Sequence, residues 1–169
     1  MALILNLLER RSWAIERRRL PGPLLPDHLA RQFPGLPKDL VEFLGDLEVC
    51  RNAPETAWLL TAQDYRGLVP GNFRWDEFRH MALESAAGSE AEEIEEFWSR
   101  HFPFALSTHS DYDYLAVQIG EAGAGPIVHG FAPFWEEPSV IASSFSDFMQ
   151  QYERAAESSD PLYPYSLFL

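Results

Sequence analysis

Residues 102–152 read FPFALSTHSDYDYLAVQIGEAGAGPIVHGFAPFWEEPSVIASSFSDFMQQY. Three runs rich in β-branched and aromatic residues, 102–108, 112–119 and 127–131, are separated by polar or glycine-rich breaks. This spacing is typical of a β-meander. A shorter run, 139–142, leads into a helix signal. The pattern predicts a sheet whose last strand is followed at once by a helix that packs back on it.

The helix signal begins at Ser144, a residue type that caps helices, and Asp147 follows three residues later as in a capping box. Four apolar side chains then recur at helical spacing and therefore lie on one face: Phe145, Phe148, Met149 and Tyr152.

Upstream, the sequence predicts further elements in the order helix, strand, helix. A helix begins at Pro37, because proline fits the first helical position. Residues 58–60 are predicted to form a short strand, and Thr61 with Asp64 reads as a capping box at the start of a helix. Pro70-Gly71 marks a turn, and residues 73–85 form the next helix.

Ser89 and Glu92 form another capping box, and the predicted helix runs from there to His101. One side of this helix carries an acidic face made of Glu92, Glu93, Glu95 and Glu96. Such a face is commonly a solvated surface, and it is also a negative patch available to a basic partner.

Residues 1–20 predict an amphipathic helix, separated from the rest of the chain by the break Pro21-Gly22-Pro23. One interpretation is a helix that docks on the domain and pairs its arginines with acidic residues; the other is a helix for a partner or a membrane surface. Its basic residues are Arg10, Arg11, Arg17, Arg18 and Arg19.

Several of these segments resemble the SMI1/KNR4 family, also called the SUKH superfamily. They are FPFA at 102–105, GPIVHG at 125–130 and SFSDF at 144–148, preceded by LPKDLVEFL at 36–44 and WLL at 58–60. The resemblance covers about residues 25–155. The turn His109-Ser110-Asp111 departs from the family, in which glycine is usual there.

The resemblance implies an SMI1/KNR4-like domain over residues 23–157. Residues 1–22 are then an amphipathic helical appendage. Residues 158–169 form an apolar tail that docks in extended form, either on its own domain or on a second copy of the chain. Bacterial members of the family commonly act as immunity proteins that bind and neutralise a toxin, often a nuclease. Fungal members are regulatory interaction proteins.

Charge and composition restrict the function classes. The 169-residue chain has 26 acidic and 13 basic residues, a net charge of −13. This excess argues against nucleic-acid binding, which needs clustered cations, and favours a basic protein partner. The lone cysteine, Cys50, fits a reducing compartment, so we expect a cytoplasmic protein with no membrane span and no targeting segment.

Candidate chemical sites are weak. His109, Asp111 and Asp113 lie close in sequence, but a turn favours these residue types for backbone reasons, and we expect no metal site. His129 in a strand is interpreted as a packed histidine. No phosphate-binding or hydrolase motif occurs, so we expect a protein that is not an enzyme and holds no cofactor.

We therefore expect an α+β fold, with a mostly antiparallel sheet of about five or six strands and helices packed mainly on one side. The expected function is that of an immunity protein that neutralises a cognate, basic toxin by stoichiometric binding. The alternative is a regulatory or scaffold interaction module of the same family. An exposed aromatic at Trp135 is expected to form the contact together with acidic residues. The predicted partner-binding residues are Trp135, Glu136, Glu137, Asp111, Asp113, Glu92, Glu93 and Glu96.

Overall fold

A computed structural model describes residues 2–20, 22–68, 73–121 and 123–169. The α-helices within these ranges are α1 (Ala2–Arg10), α2 (Asp27–Gln32), α3 (Lys38–Gly45), α4 (Ala62–Tyr65), α5 (Glu77–Ser85), α6 (Glu90–Ser99) and α7 (Phe145–Glu157). The strands are β1 (Ala14–Arg17), β2 (Leu47–Arg51), β3 (Ala57–Leu59), β4 (His101–Ser107), β5 (Asp113–Gly120), β6 (Gly123–Phe131) and β7 (Ser139–Ala142). A 3₁₀ helix spans Tyr165–Phe168.

The described strands form one sheet in chain order, β1 to β7, and every neighbouring pair is antiparallel. The α+β class and the antiparallel meander are therefore confirmed. Seven strands were found where about five or six were expected. The sequence did not predict β1 and β2, whose short segments lack a clean apolar alternation. In the sheet, Ile15 of β1 lies opposite Cys50 of β2.

Helix α7 packs on the centre of the sheet as predicted. Phe104 of β4 contacts the rings of Phe145 and Phe148 edge-on, with centroids 5.9 and 5.3 Å apart. All three side chains are buried, and so are Leu115, Val117 and Ile127 of the neighbouring strands. The predicted junction of sheet and last helix is confirmed.

Part of the opposite face of the sheet is covered as well. Every residue of β4 is buried, which requires neighbours on both sides of that strand. Tyr114 of β5 is the centre of this second layer, because its ring lies 6.4 Å from that of Phe78 in α5 and 5.0 Å from that of Trp98 in α6. Gly130 of β6 makes room for this ring, since a Cβ there would lie 2.5 Å from the Tyr114 side chain.

The first segment is not an appendage. Helix α1 ends at Arg10, well before the predicted end at Leu20, and packs against α7, with Ile4 and Leu8 fully buried. Residues 14–17 then join the sheet as β1. The division at residue 22 was wrong because α1 and β1, which a short turn connects, both belong to the domain.

The predicted pairing of the N-terminal arginines with acidic residues was also wrong for the described residues, among which none of these arginines forms a salt bridge. Arg11 instead donates from Nε to the carbonyl of Ala156 at 2.9 Å and from Nη2 to that of Ser158, at the end of α7. Arg18 donates to the carbonyl of Gly45, the last residue of α3, at 3.2 Å. Free carbonyls at helix ends carry partial negative charge, so they satisfy a guanidinium without a carboxylate.

The tail docks on its own domain. Leu167 and Phe168 are buried, and their carbonyls accept hydrogen bonds from Ser107 Oγ at 2.8 Å and from the Tyr152 hydroxyl. The segment was expected to be extended, but it closes with the 3₁₀ helix because the second proline, Pro164, precedes a helical turn and does not interrupt one.

The two predicted serine caps differ. Ser144 Oγ accepts a hydrogen bond from the Asp147 amide at 3.1 Å, which confirms this cap. Ser89 occupies the residue before α6, but its backbone is already helical and its side chain accepts no capping bond. The Glu90 carboxylate accepts from the Ala87 amide at 3.1 Å instead.

The turn at His109-Ser110-Asp111 contains no residue with positive φ, so it does not require the glycine usual in the family. The predicted turn at Pro70-Gly71 lies outside the described residues. The helix expected over 73–85 begins at Glu77. Among the described helices, none is long and apolar enough to cross a membrane.

Candidate protein-binding surface

The loop between β6 and β7 is fixed by Trp135. Its indole lies parallel to the ring of Phe78, with centroids 5.6 Å apart and an interplanar angle of 8°. Its Nε1 donates to the Tyr112 carbonyl at 3.1 Å, and its own carbonyl accepts from the Tyr114 hydroxyl at 2.6 Å. The side chain is only 7% exposed. The expectation of an exposed aromatic at Trp135 was wrong, because the indole fills a site in the α5–α6 layer and its N–H has a partner there.

The residue before it, Phe134, faces solvent and is 56% exposed. Its ring lies 6.4 Å from that of Phe131, which is 37% exposed, and Tyr163 from the tail is 62% exposed. We call Phe131, Phe134 and Tyr163 the aromatic surface. Large exposed rings that lie together are unusual on a surface and mark interaction sites.

The buried side chain of His129 packs against two rings of this surface. The His129 imidazole stacks on the Phe131 ring at 6.0 Å and meets the Tyr163 ring edge-on at 5.3 Å. His129 is 3% exposed, which confirms the interpretation of a packed histidine. His129 therefore connects Phe131 and Tyr163, but not Phe134, to the sheet.

Asp113 holds that histidine and is not a surface residue. Its Oδ1 lies 2.8 Å from His129 Nε2, and its Oδ2 accepts from Ser110 Oγ at 3.1 Å. Asp113 is 1% exposed, so the expectation that it contacts a partner was wrong. Asp113 is the first residue of β5 and lies on the same face of the strand as Leu115, which pairs with His129 of β6. Its carboxylate therefore faces His129.

Two other predicted residues do lie beside the aromatic surface. Asp111 is exposed. The pKa of the Tyr163 hydroxyl is raised by desolvation first, then by the charge of Asp113 and then by that of Asp111. Glu137 is exposed, and its amide donates to the Phe134 carbonyl at 3.1 Å. Two exposed acidic residues, Asp111 and Glu137, therefore lie near the aromatic surface.

Glu136 connects the loop to α6. Its Oε1 accepts from Trp98 Nε1 at 3.0 Å. Desolvation raises the pKa of this half-buried carboxyl, and the nearby charge of Glu90 raises it further. Glu136 therefore mainly holds the loop against α6 and contributes less to the exposed surface of the loop.

The acidic face of α6 is exposed at Glu92, Glu93 and Glu96. Glu96 pairs with Arg100, whereas Glu92 and Glu93 form no salt bridge with any residue in the described ranges. The uncompensated charge of the face therefore lies at its N-terminal part.

Phe131, Phe134 and Tyr163 were not among the contact residues predicted from the sequence. One signal for Phe131 was present, because Gly130 leaves space for a neighbouring ring and the alternation of the strand then places Phe131 on the other face. Nothing in the dipeptide Phe134-Trp135 tells which of the two rings is buried.

No cluster of three or more His, Cys, Asp or Glu side chains that could hold a metal ion occurs among the described residues. Cys50 is buried, and desolvation raises the pKa of its thiol to about 12, so it is not a thiolate at neutral pH.

Comparison with known proteins adds no relative: no protein-family model, no curated protein and no solved structure matches the chain. The similarity of its motifs to the SMI1/KNR4 family therefore stays a prediction from the sequence.

Proposed function

We propose that this chain is a non-catalytic protein-binding domain whose contact surface is the aromatic surface with its flanking carboxylates, Asp111 and Glu137. The observation that carries the proposal is the exposure of three rings on a rigid base. Aromatic anchors surrounded by polar groups are typical of binding hot spots. Phe131 and Tyr163 pack against the buried His129, and rings held in place in this way lose little freedom when a partner covers them.

The partner is expected to be basic. The chain carries a net charge of −13, and the acidic residues Asp111 and Glu137 are exposed near the aromatic surface. Complementary charge accelerates association and disfavours acidic partners. The exposed Glu92 and Glu93 of α6 add to the field without direct contact.

We further propose that the domain acts in the cytoplasm as an immunity protein and neutralises a cognate toxin, for instance a nuclease, by one-to-one binding. The motif resemblance and the negative charge support this reading, because a basic substrate groove is a natural target for an acidic protein. A regulatory or scaffold module is the alternative, and it predicts weaker binding to several partners.

The test is co-expression with the protein encoded next to this chain, followed by growth and binding measurements. We expect rescue of growth and a one-to-one complex. A toxic neighbour that is neither bound nor neutralised would contradict immunity, and weak binding to several unrelated proteins would support the scaffold.

The contact surface is tested separately by Phe134→Ala. Because the ring is exposed, the free protein should keep its melting temperature, while the complex dissociates on the order of 30-fold faster, as expected for a hot spot of about 2 kcal/mol. Leu20→Ala, at a side chain that is 78% exposed, is the matched control and should leave binding unchanged. Equal dissociation rates for both variants would exclude the aromatic surface as the contact.

Charge reversal separates steering from contact. Lysine at Glu92, Glu93 and Glu96 together should slow association and flatten its salt dependence, with little change in dissociation. An unchanged association rate at low salt would show that α6 does not face the approaching partner.

A further inference from the structure

A cavity of about 370 Å³ opens on the side of the sheet where Arg51 of β2 lies opposite Trp58 of β3. The loop before β3 contributes Glu55, and Thr61 and Asp64 from the start of α4 also line the cavity. None of these residues belongs to the aromatic surface, so the cavity is a separate feature of the molecule.

One wall of the cavity is aromatic. The ring of Trp58 lies 5.8 Å from that of Phe73 at an angle of 39°, and both side chains are only half-buried. An accessible indole face attracts a cation through its quadrupole and also packs against an apolar stem.

The other walls carry more carboxylates than cations. Glu48, Glu55 and Asp64 line the cavity, and Arg51 is its one cationic lining residue among those the structure describes. Arg51 already pairs with Glu55 at 3.4 Å. Two carboxylates, those of Glu48 and Asp64, are left without a salt bridge to any residue of the described ranges.

These two carboxylates have hydrogen bonds but no full charge compensation. Glu48 Oε1 accepts from Gln63 Nε2 at 2.8 Å, and Asp64 Oδ2 accepts from the Thr61 amide and hydroxyl at 2.7 and 2.9 Å. Each carboxylate can accept about four hydrogen bonds, so each keeps acceptor capacity. Desolvation raises the pKa of Asp64, although the hydrogen bonds from Thr61 and the charge of Arg51 act in the opposite direction.

We propose that this cavity binds a single arginine side chain presented by a partner protein. The guanidinium stacks on Trp58 and donates to the carboxylates of Glu48 and Asp64, while the aliphatic stem packs against Phe73. A planar cation with several donors suits an aromatic wall beside carboxylates better than an ammonium does. The inference stands apart from the proposed function, which concerns a different surface.

The experiment is an NMR titration of the whole chain with acetyl-arginine-amide. The Trp58 indole N–H resonance, assigned by its loss in Trp58→Phe, should shift on binding. Acetyl-citrulline-amide has nearly the same shape without the charge and should bind at least about tenfold more weakly. Acetyl-lysine-amide, with its side-chain amine free, should also bind more weakly than the arginine probe. No shift at Trp58, or equal binding by arginine and either analogue, would overturn the proposal.

Two variants locate the site. Glu48→Gln keeps an acceptor for Gln63 and removes one charge, so it should weaken arginine binding about tenfold with little change in fold. Glu92→Gln removes an equal charge from exposed α6 and should leave binding unchanged. If both variants weaken binding equally, the probe responds to net charge alone and the cavity is not its site. Because binding is measured without a toxin, failure here leaves the proposed function intact.

Discussion

The two faces of the sheet are closed by different interactions. On the α7 face, Phe104, Phe145 and Phe148 meet ring to ring with no polar atom among them. On the α5–α6 face, two of the large rings also make hydrogen bonds: the Tyr114 hydroxyl donates to the Trp135 carbonyl, and Trp135 Nε1 donates to the Tyr112 carbonyl. The three-phenylalanine cluster is held by packing, and the α5–α6 face by packing that also orients a loop.

The difference explains where the candidate surface lies. A loop tied to the sheet by directed hydrogen bonds has one conformation, so its outward residues keep a fixed position. The β6–β7 loop therefore presents Phe134 from a rigid base, whereas the cluster of Phe104, Phe145 and Phe148 is held by ring packing that orients no loop.

The largest expected effect is on the α7 face. Phe148→Ala should lower the free energy of unfolding by about 3–5 kcal/mol, because it removes a buried ring and leaves a cavity. Phe134→Ala is the control of equal chemistry and should change it by less than about 0.5 kcal/mol. Denaturant unfolding measures both, and similar losses would contradict the assigned burial.

The next effect is on the α5–α6 face. Tyr114→Phe keeps the ring and removes the bond to the Trp135 carbonyl, so it should cost about 1–2 kcal/mol. The loss should also loosen the loop, which hydrogen exchange at the Trp135 and Glu137 amides would detect. A stability loss without faster exchange in the loop would mean that the hydroxyl does not orient it.

The two serines before α6 and α7 give a smaller contrast. Ser144→Ala should cost about 1 kcal/mol because it removes the bond to the Asp147 amide. Ser89→Ala should be neutral within about 0.5 kcal/mol because its side chain makes no such bond. Thermal unfolding of the pair checks this, and equal losses would show that Ser89 caps α6 in solution.

The smallest effect is on the pH dependence of stability, which has opposite sign at Glu136 of the β6–β7 loop and at Asp147 of α7. Burial raises the pKa of Glu136 above its usual 4.5, so the folded state holds a proton that the unfolded state has lost, and stability falls as pH rises from about 4.5 through the folded pKa. Hydrogen bonds from Ser143, first its amide, and from Gln151 lower the pKa of Asp147 below 3.8; this contribution is present above 3.8 and is lost as pH falls through the folded pKa.

Stability curves of Glu136→Gln and Asp147→Asn against pH test these signs. As pH rises above 4.5, Glu136→Gln should become more stable relative to the wild type. As pH rises through the acidic range to 3.8, Asp147→Asn should become less stable relative to the wild type. Curves that run parallel to the wild type would show that neither carboxyl changes its pKa on folding.

The location of the candidate surface was predicted better than the residues that form it. It was expected at the turn before β5 and in the loop after β6, and Asp111 and Glu137 are exposed there. Trp135 and Asp113 were predicted as contacts, but both are buried as supports. A ring with a hydrogen-bond donor and a carboxylate beside a histidine are equally suited to a surface or to a satisfied interior, so residue type could not decide between them.

The sequence by itself determined the elements whose signals are local: strands β4 to β7 by their apolar runs and helix α7 by its spacing and Ser144 cap. Only the tertiary structure decided what depends on a distant partner. Residues 14–17 become a strand because β2 offers a free edge, and Arg11 is satisfied by the end of α7. Trp135 turns inward because Phe78 and Tyr112, far apart in sequence, together form a site that fits an indole and its N–H.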